Sequence, residues 1–479
     1  MKEGYIEQAD RKKILLIADD IRMHSGVATM AREIVVGTAH HYNWVNVAAA
    51  IKHPDAGKRL DLSNDTNTHA GISDSSVVLY PNDGYGNADL IRQMIKIENP
   101  DAIMLFTDPR YFVWLFQIED EIRTKIPIFY YNIWDDAPAP LWNEPFYESC
   151  DLLMAISKQT ENLNRLVLGE KADDKILSYV PHGINETQFF PITKEYEKYD
   201  QFKAFKKRIL GDNEYDFVAF WNSRNIHRKH PADVILAYNQ FISQLPKDKA
   251  KRCALVMHTQ PVDDNGTDLY AVKELICDPE YCNVFFSTDR LDSQHMNYLY
   301  NMADVTMLIS SNEGWGLSLT ESLLTGTMIL ANVTGGMQDQ MRFEDENGYW
   351  IEFDDKFLSN HFGTYKKCGE WALPVFPSNI SLAGSVPTPY IYDDRADFRD
   401  VAEQLKTAYE MSVEERVERG LKGREWATGD EAGFTARVMC ERMIEDIDDA
   451  FEEFEPRPSY TLTKIEDRQR KAVRHPLTY

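Results

Sequence analysis

Short, unbroken apolar runs alternate along this chain with longer amphipathic stretches. Residues 13–19 (KILLIAD) form the first run, and others follow at 44–51, 77–81, 102–107, 127–132, 152–157 and 176–180. Runs lacking a polar alternate suit strands covered on both faces, with helices as crossovers between parallel neighbours. The stretch after Gly26 reads as the first of those helices. Residues 181–191 break the pattern with Pro-His-Gly-Ile-Asn and a second proline, and runs resume at 216–221, 253–259, 284–288, 305–309 and 328–331. The prediction is an α/β protein with two Rossmann-like, doubly wound domains joined near 185–200 and facing a central cleft. Ligands of such sheets sit beyond the carboxyl ends of the strands.

The first domain is expected over 1–190 and the second over 191–430. Residues 355–398 lack periodicity and are rich in Pro, Ser, Gly and aromatics, so they read as a loop insertion. Helical spacing returns at 397–410 and 430–453, and a proline-containing tail of mixed charge begins at Glu455.

Composition narrows the function. A hydrophobic content of 43% in 479 residues is ample for conventional cores. The net charge of -25 disfavours a dedicated nucleic-acid binder, although 203–208, 224–230 and 468–474 are locally basic. Six cysteines are scattered, only Cys277 and Cys282 are close, and no metal-ligand spacing occurs. That usage fits reduced thiols in the cytoplasm. The charged N-terminus does not read as a signal peptide, and no apolar run is long enough to span a membrane.

The stretch 305–321 carries the chemistry. A strand at 305–309 leads into a loop holding Glu313, Gly314, Trp315 and Gly316, and a helix starts near Leu317. The glycines let backbone N–H groups approach a ligand, and a helix N-terminus offers unpaired donors and a positive dipole end. A diphosphate is the ligand such geometry favours. Glu313 at the loop mouth and Glu321 one turn into the helix are placed to share one pocket, where carboxylates accept hydrogen bonds from hydroxyls.

This segment, Ser310-Ser311-Asn312-Glu313-Gly314-Trp315-Gly316 ending at Glu321, resembles the signature of the family 4 glycosyltransferases of the GT-B fold, a Glu, seven residues and a second Glu. The resemblance implies a retaining, metal-independent hexosyltransferase that uses a nucleotide-sugar donor and no cofactor. Glu321 would hold the ribose hydroxyls, Glu313 the donor sugar, and the backbone from Gly314 through Trp315 and Gly316 to Leu317 the sugar and phosphates. Arg224 and Lys229, five apart after the strand at 216–221, match the cations that clamp the donor diphosphate, with Arg228 an extra cation beside them. By the same resemblance, residues 284–290 would place Thr288 and Arg290 beside the base. Gly26 matches the loop near the phosphates, with His24 beside it. Residues 176–191 match the interdomain signature, so Gly183 reads as a turn residue. The last helix suits the family's closing element, so that 431–479 packs back on the first domain.

One departure stands out. Relatives place a His after the strand that corresponds to 127–131, whereas this chain has Asn132-Ile133-Trp134-Asp135-Asp136. Asp135 is the substitute expected to orient the acceptor hydroxyl, bind the donor sugar or act as a base. UDP-glucose is the first expectation for the donor, and a glycan or other hydroxyl compound for the acceptor. Two alternatives stay open: an enzyme that glycosylates hydroxymethylated DNA bases, and a non-catalytic sugar-nucleotide-binding protein.

Overall fold

The computed structural model describes residues 4–458. The basic segment 468–474 and most of the expected tail lie outside the described residues. The first domain is built on strands β1 (Lys13–Asp19), β2 (Asn43–Ala50), β3 (Leu60–Asp61), β4 (Val77–Asp83), β5 (Ala102–Phe106), β6 (Ile128–Asn132), β7 (Leu152–Ala155) and β8 (Ile176–Tyr179). They form one sheet in the order β3-β4-β2-β1-β5-β6-β7-β8, parallel except for the β3–β4 edge pair. Ile14, Leu15, Leu16 and Ile17 in β1 are all fully buried, which is what an apolar run without alternation demands of a strand covered on both faces.

The second domain holds β9 (Phe217–Asn222), β10 (Cys253–His258), β11 (Val284–Ser287), β12 (Val305–Leu308), β13 (Met328–Asn332) and β14 (Ala372–Val375), a parallel sheet in the order β11-β10-β9-β12-β13-β14. The region expected as an aperiodic loop contains β14 and an antiparallel hairpin, β15 (Asn379–Ser385) and β16 (Thr388–Arg395). The pattern missed them for physical reasons. β14 is a four-residue edge strand containing Pro374, and β15 is largely exposed, so neither shows a buried alternation.

The two domains share one apolar core, which runs from Leu16 and Met104 through Phe434 and Met439 to Leu319 and Ile329. Helix Ala436–Glu453 returns to the first domain and packs on helix Gly26–Thr38. Tyr42 donates to Asp448 Oδ1 at 2.7 Å, and Ser178 donates to Asp446 Oδ2 at 2.6 Å. A second seam joins helix Lys158–Leu168 to the other domain. The Lys158 N–H donates to Asp339 Oδ2 at 2.9 Å, and its ammonium lies 3.9 Å from the Trp350 ring centroid while bonding Glu352 at 2.6 Å. No helix among the described residues is long and apolar enough to cross a membrane.

Gly183 is not a turn residue. Its neighbour Ile184 bridges Thr435, and a Cβ on Gly183 would lie 2.2 Å from the Thr435 carbonyl oxygen. The glycine is required by the close passage of the segment that leads into the returning helix. Gly183→Ala is therefore expected to destabilise the protein by about 1–3 kcal/mol through overpacking against backbone. Urea unfolding checks this, and an unchanged midpoint would show that the crossing has room to spare.

Candidate active site

The cleft between the domains is built from strand ends. After β1 the chain enters helix Gly26–Thr38, capped by Ser25, whose Oγ accepts from Ala28 N at 3.0 Å. After β6 the loop from Ile133 to Asp136 is pinned by its neighbours. Asn132 accepts from Trp134 N at 3.0 Å, Thr160 donates to Trp134 O at 2.8 Å, and Gln159 donates to Asp135 O at 3.1 Å. These bonds hold Asp135 at the cleft on a rigid backbone.

From the second domain, the loop after β12 delivers Glu313 and Gly314. Gly316, at φ 88°, sits in the left-handed region and begins helix Leu317–Leu324 without a side-chain cap. The loop lies directly on Gly335 and Gly336: Gly336 N donates to Glu313 O at 2.9 Å, and a Cβ on either glycine would strike the Glu313 or Gly314 carbonyl. Gly314 also faces the first domain, where a Cβ would meet Ile156 at 2.9 Å. The pair of glycines after β13 thus seats the Glu313 loop from below.

Glu313 is gripped by two cations. Lys229 Nζ donates to its Oε2, and Arg228 Nη1 bonds the same oxygen at 3.2 Å and the Asn312 carbonyl at 2.9 Å. Burial alone raises the Glu313 carboxyl, but Lys229 and Arg228 outweigh it and hold it below the usual range. Lys229 is lowered, chiefly by burial, with the Arg228 charge adding to it against Glu313. Arg228 also reaches Asp135 Oδ2 at 3.8 Å, linking the two domains electrostatically. Arg224 stands at the rim, exposed, with its Nε on Asp263 at 3.0 Å.

Glu321 accepts a hydrogen bond from the Tyr300 hydroxyl, and burial raises its carboxyl to about 7 against the pull of that bond. A cavity of about 660 Å³ brings Gly26, Asp135, Arg224, Lys229, Glu313 and Glu321 together, with Gly314, Trp315, Gly316 and Leu317 along its second-domain wall. The Trp315 ring turns away into the core, packing edge-on to Phe434 with Nε1 on Thr320. Thr288 and Arg290, by contrast, are exposed beyond β11 and do not line this cavity, and the Thr288 carbonyl already accepts from Gln260 at 2.9 Å. His24 is exposed on the first-domain wall.

One cavity residue escaped the sequence reading. His182 is buried at the cleft, its Nδ1 2.8 Å from the Tyr131 hydroxyl, and burial lowers it to about 3, which keeps the imidazole neutral. Its signal was a polar ring just past the carboxyl end of an apolar strand, in a segment read only for its turn. Among the described residues no three His, Cys, Asp or Glu side chains converge to hold a metal ion.

Residues 200–359 match the family model described as glycosyl transferases group 1. No curated protein matches the sequence. Solved structures resemble most of the chain. Anabaena HepE, solved in complex with UDP and glucose, is 14% identical, with a TM-score of 0.60 over 92% of this chain and 100% of that one. The sucrose-phosphate synthase of Thermosynechococcus elongatus is 14% identical, with a TM-score of 0.62 over 92% and 100% of the two chains. The UDP-forming alpha,alpha-trehalose-phosphate synthase of Burkholderia vietnamiensis is 11% identical, with a TM-score of 0.60 over 92% and 99%. This chain accordingly has the GT-B fold, and residues 200–359 of its second domain resemble the glycosyl transferases group 1.

Proposed function

We propose that the protein is a retaining glycosyltransferase that moves a hexosyl group from a nucleotide-sugar donor, UDP-glucose first among them, to an acceptor hydroxyl. The observation that carries this reading is the second-domain wall of the cleft. Two glutamates, a buried lysine and an uncapped helix N-terminus converge there opposite a first-domain carboxylate. Anabaena HepE, solved with UDP-glucose and with UDP and glucose, supports the choice of donor.

In this reading Glu321 accepts from the ribose hydroxyls and Glu313 from the donor sugar. Lys229, Arg224 and the N–H groups at Leu317 receive the diphosphate as the bond from C1 to oxygen breaks and the electron pair leaves with it. Prepositioned cations and dipoles stabilise that charge without reorganisation, which is where such a site gains most of its rate. The acceptor oxygen then bonds C1 on the face the diphosphate left, its O–H proton passing to an oxygen of the departing diphosphate, and Asp135 orients the hydroxyl. Neutral His182 is suited to donate to or accept from the sugar. No metal is needed for this chemistry, because the lysine and the arginine supply the positive charge.

Three outcomes are expected. In a thermal-shift panel of nucleoside diphosphates and sugar nucleotides, UDP and UDP-glucose stabilise the protein with or without magnesium, by about 2.7 kcal/mol at 100 times Kd. A flat panel would sink the donor site. Lys229→Ala and Glu313→Gln each lower the transfer rate by about 10²–10³, with circular dichroism unchanged; wild-type rates in both would remove these side chains from the reaction.

The third outcome concerns pH. The folded protein holds the Glu321 proton up to about 7, whereas the unfolded chain releases it near its ordinary 4.5. Stability without ligand therefore declines as pH rises from 4.5 toward about 7, and Asp339, also raised to about 7 by burial, adds to the decline. UDP affinity runs the other way, rising through about 7 as Glu321 ionises and becomes a stronger acceptor, and Glu321→Gln flattens it. Calorimetric titration at pH 6 and 8 checks this, and an equal slope in the variant would assign the pH dependence elsewhere.

A further inference from the structure

A second cavity of about 720 Å³ adjoins the cleft and shares Ile133, Asp135 and Arg228 with it. One of its walls is the hairpin β15–β16, a separate two-stranded sheet that follows β14 of the second domain yet reaches the first. The base of the hairpin is bolted to the loops that carry the donor-side residues. Asp394 N donates to Ser311 O at 3.0 Å, Asp394 O accepts from Asn332 at 2.9 Å, and its Oδ2 accepts from Thr334 at 2.6 Å. Farther along, Tyr392 N donates to Ala137 O at 2.7 Å, and the Tyr390 ring meets Trp142 edge-on at 4.6 Å. Tyr392 also packs on the cluster of Trp134, Ala137 and Leu163. The hairpin is therefore a strap across the interdomain gap, and its tip at Ala383–Ser385 and Thr388 faces the cavity.

The charges in this cavity are already balanced within the protein. Arg110 is paired with Asp108 at 2.5 Å, Arg228 with Glu313 and Asp135, and Arg395 with Asp233 at 3.6 Å. Asp136 and Asp393 add further carboxyl groups, with burial and the neighbouring Asp135 pushing the Asp136 carboxyl well up. A phosphate would meet more acid than free base here, whereas hydroxyl groups would find carboxylate acceptors.

We propose that the β15–β16 hairpin is the acceptor-selecting wall of this enzyme, clipping the two domains together over a cavity that takes an uncharged polyhydroxy compound. This rests on the glycosyltransferase reading above, with Asp135 at the junction between donor and acceptor. The hairpin touches acceptor and not donor, so its removal separates the two.

The test replaces residues 383–391 by Asn-Gly, which joins Leu382 to Tyr392, a cross-strand pair in the native register, through a two-residue turn. Tyr390→Ala is a milder companion. UDP affinity and acceptor-free hydrolysis of UDP-glucose are measured alongside transfer to glucose, maltose, glucose 6-phosphate and a duplex containing hydroxymethylcytosine. The expected result is transfer to the neutral sugars in the wild type. In the trimmed variant the acceptor KM rises about tenfold or more, while UDP affinity stays within about twofold. An unchanged acceptor KM, a loss of UDP binding in the trimmed variant, a wild-type preference for the phosphorylated sugar or the DNA, or transfer to neither neutral sugar would each overturn the proposal. Failure of the wild type to bind UDP or hydrolyse UDP-glucose is a distinct result, which overturns the donor reading beneath it.

Discussion

The ion pair of Glu313 with Lys229 and Arg228 is the constraint around which the cleft is organised. A carboxylate this buried stays ionised only because two cations face it, and those cations come from a different loop of the same domain. The loop bearing Glu313 cannot shift to relieve the pair, since its carbonyls rest on Gly335 and Gly336 with no space for a side chain between. The helix that starts at Gly316 is thereby aimed, and Glu321 with it. Arg228 carries the same constraint across to Asp135, so the electrostatics of one domain register the position of the other.

Around that centre the domains are tied at several places with different chemistry. The returning helix is tied by hydrogen bonds to Asp446 and Asp448 and by the tight passage at Gly183. The Lys158 seam joins a helix N-terminus to Asp339 and an ammonium to Trp350. The hairpin adds a backbone bond and an aromatic contact on the side of the second cavity. Together with a core shared by both domains, these ties hold the facing strand ends at the separation on which the cleft depends.

Much of this was legible from residue order, for reasons that differ by element. Strands such as β1 and β9 sit in the middle of their sheets and are buried on both faces, so their sequences are apolar throughout and stand out. The Glu313–Glu321 segment is local: strand, glycine loop and helix start are consecutive, and their chemistry can be read from spacing alone. Arg224 and Lys229 were legible as a pair, but not their division of labour, one exposed on Asp263 and the other buried on Glu313. β14 and the hairpin were not legible, because edge and exposed strands leave no burial pattern in the residues.

By itself the sequence determined two parallel α/β domains, the loop and helix that present Glu313 and Glu321, and the basic turn that follows β9. Each of these follows from neighbours along the chain, through periodicity, glycine spacing and turn chemistry. Only the tertiary structure decided which of those groups meet. It set Lys229 on Glu313, brought His182 to the cleft, sent the Trp315 ring into the core, left Thr288 and Arg290 outside, and laid a hairpin across to Ala137 and Trp142. Such meetings join residues tens to hundreds of positions apart, and they are settled by packing density and burial, quantities that no local stretch of sequence contains.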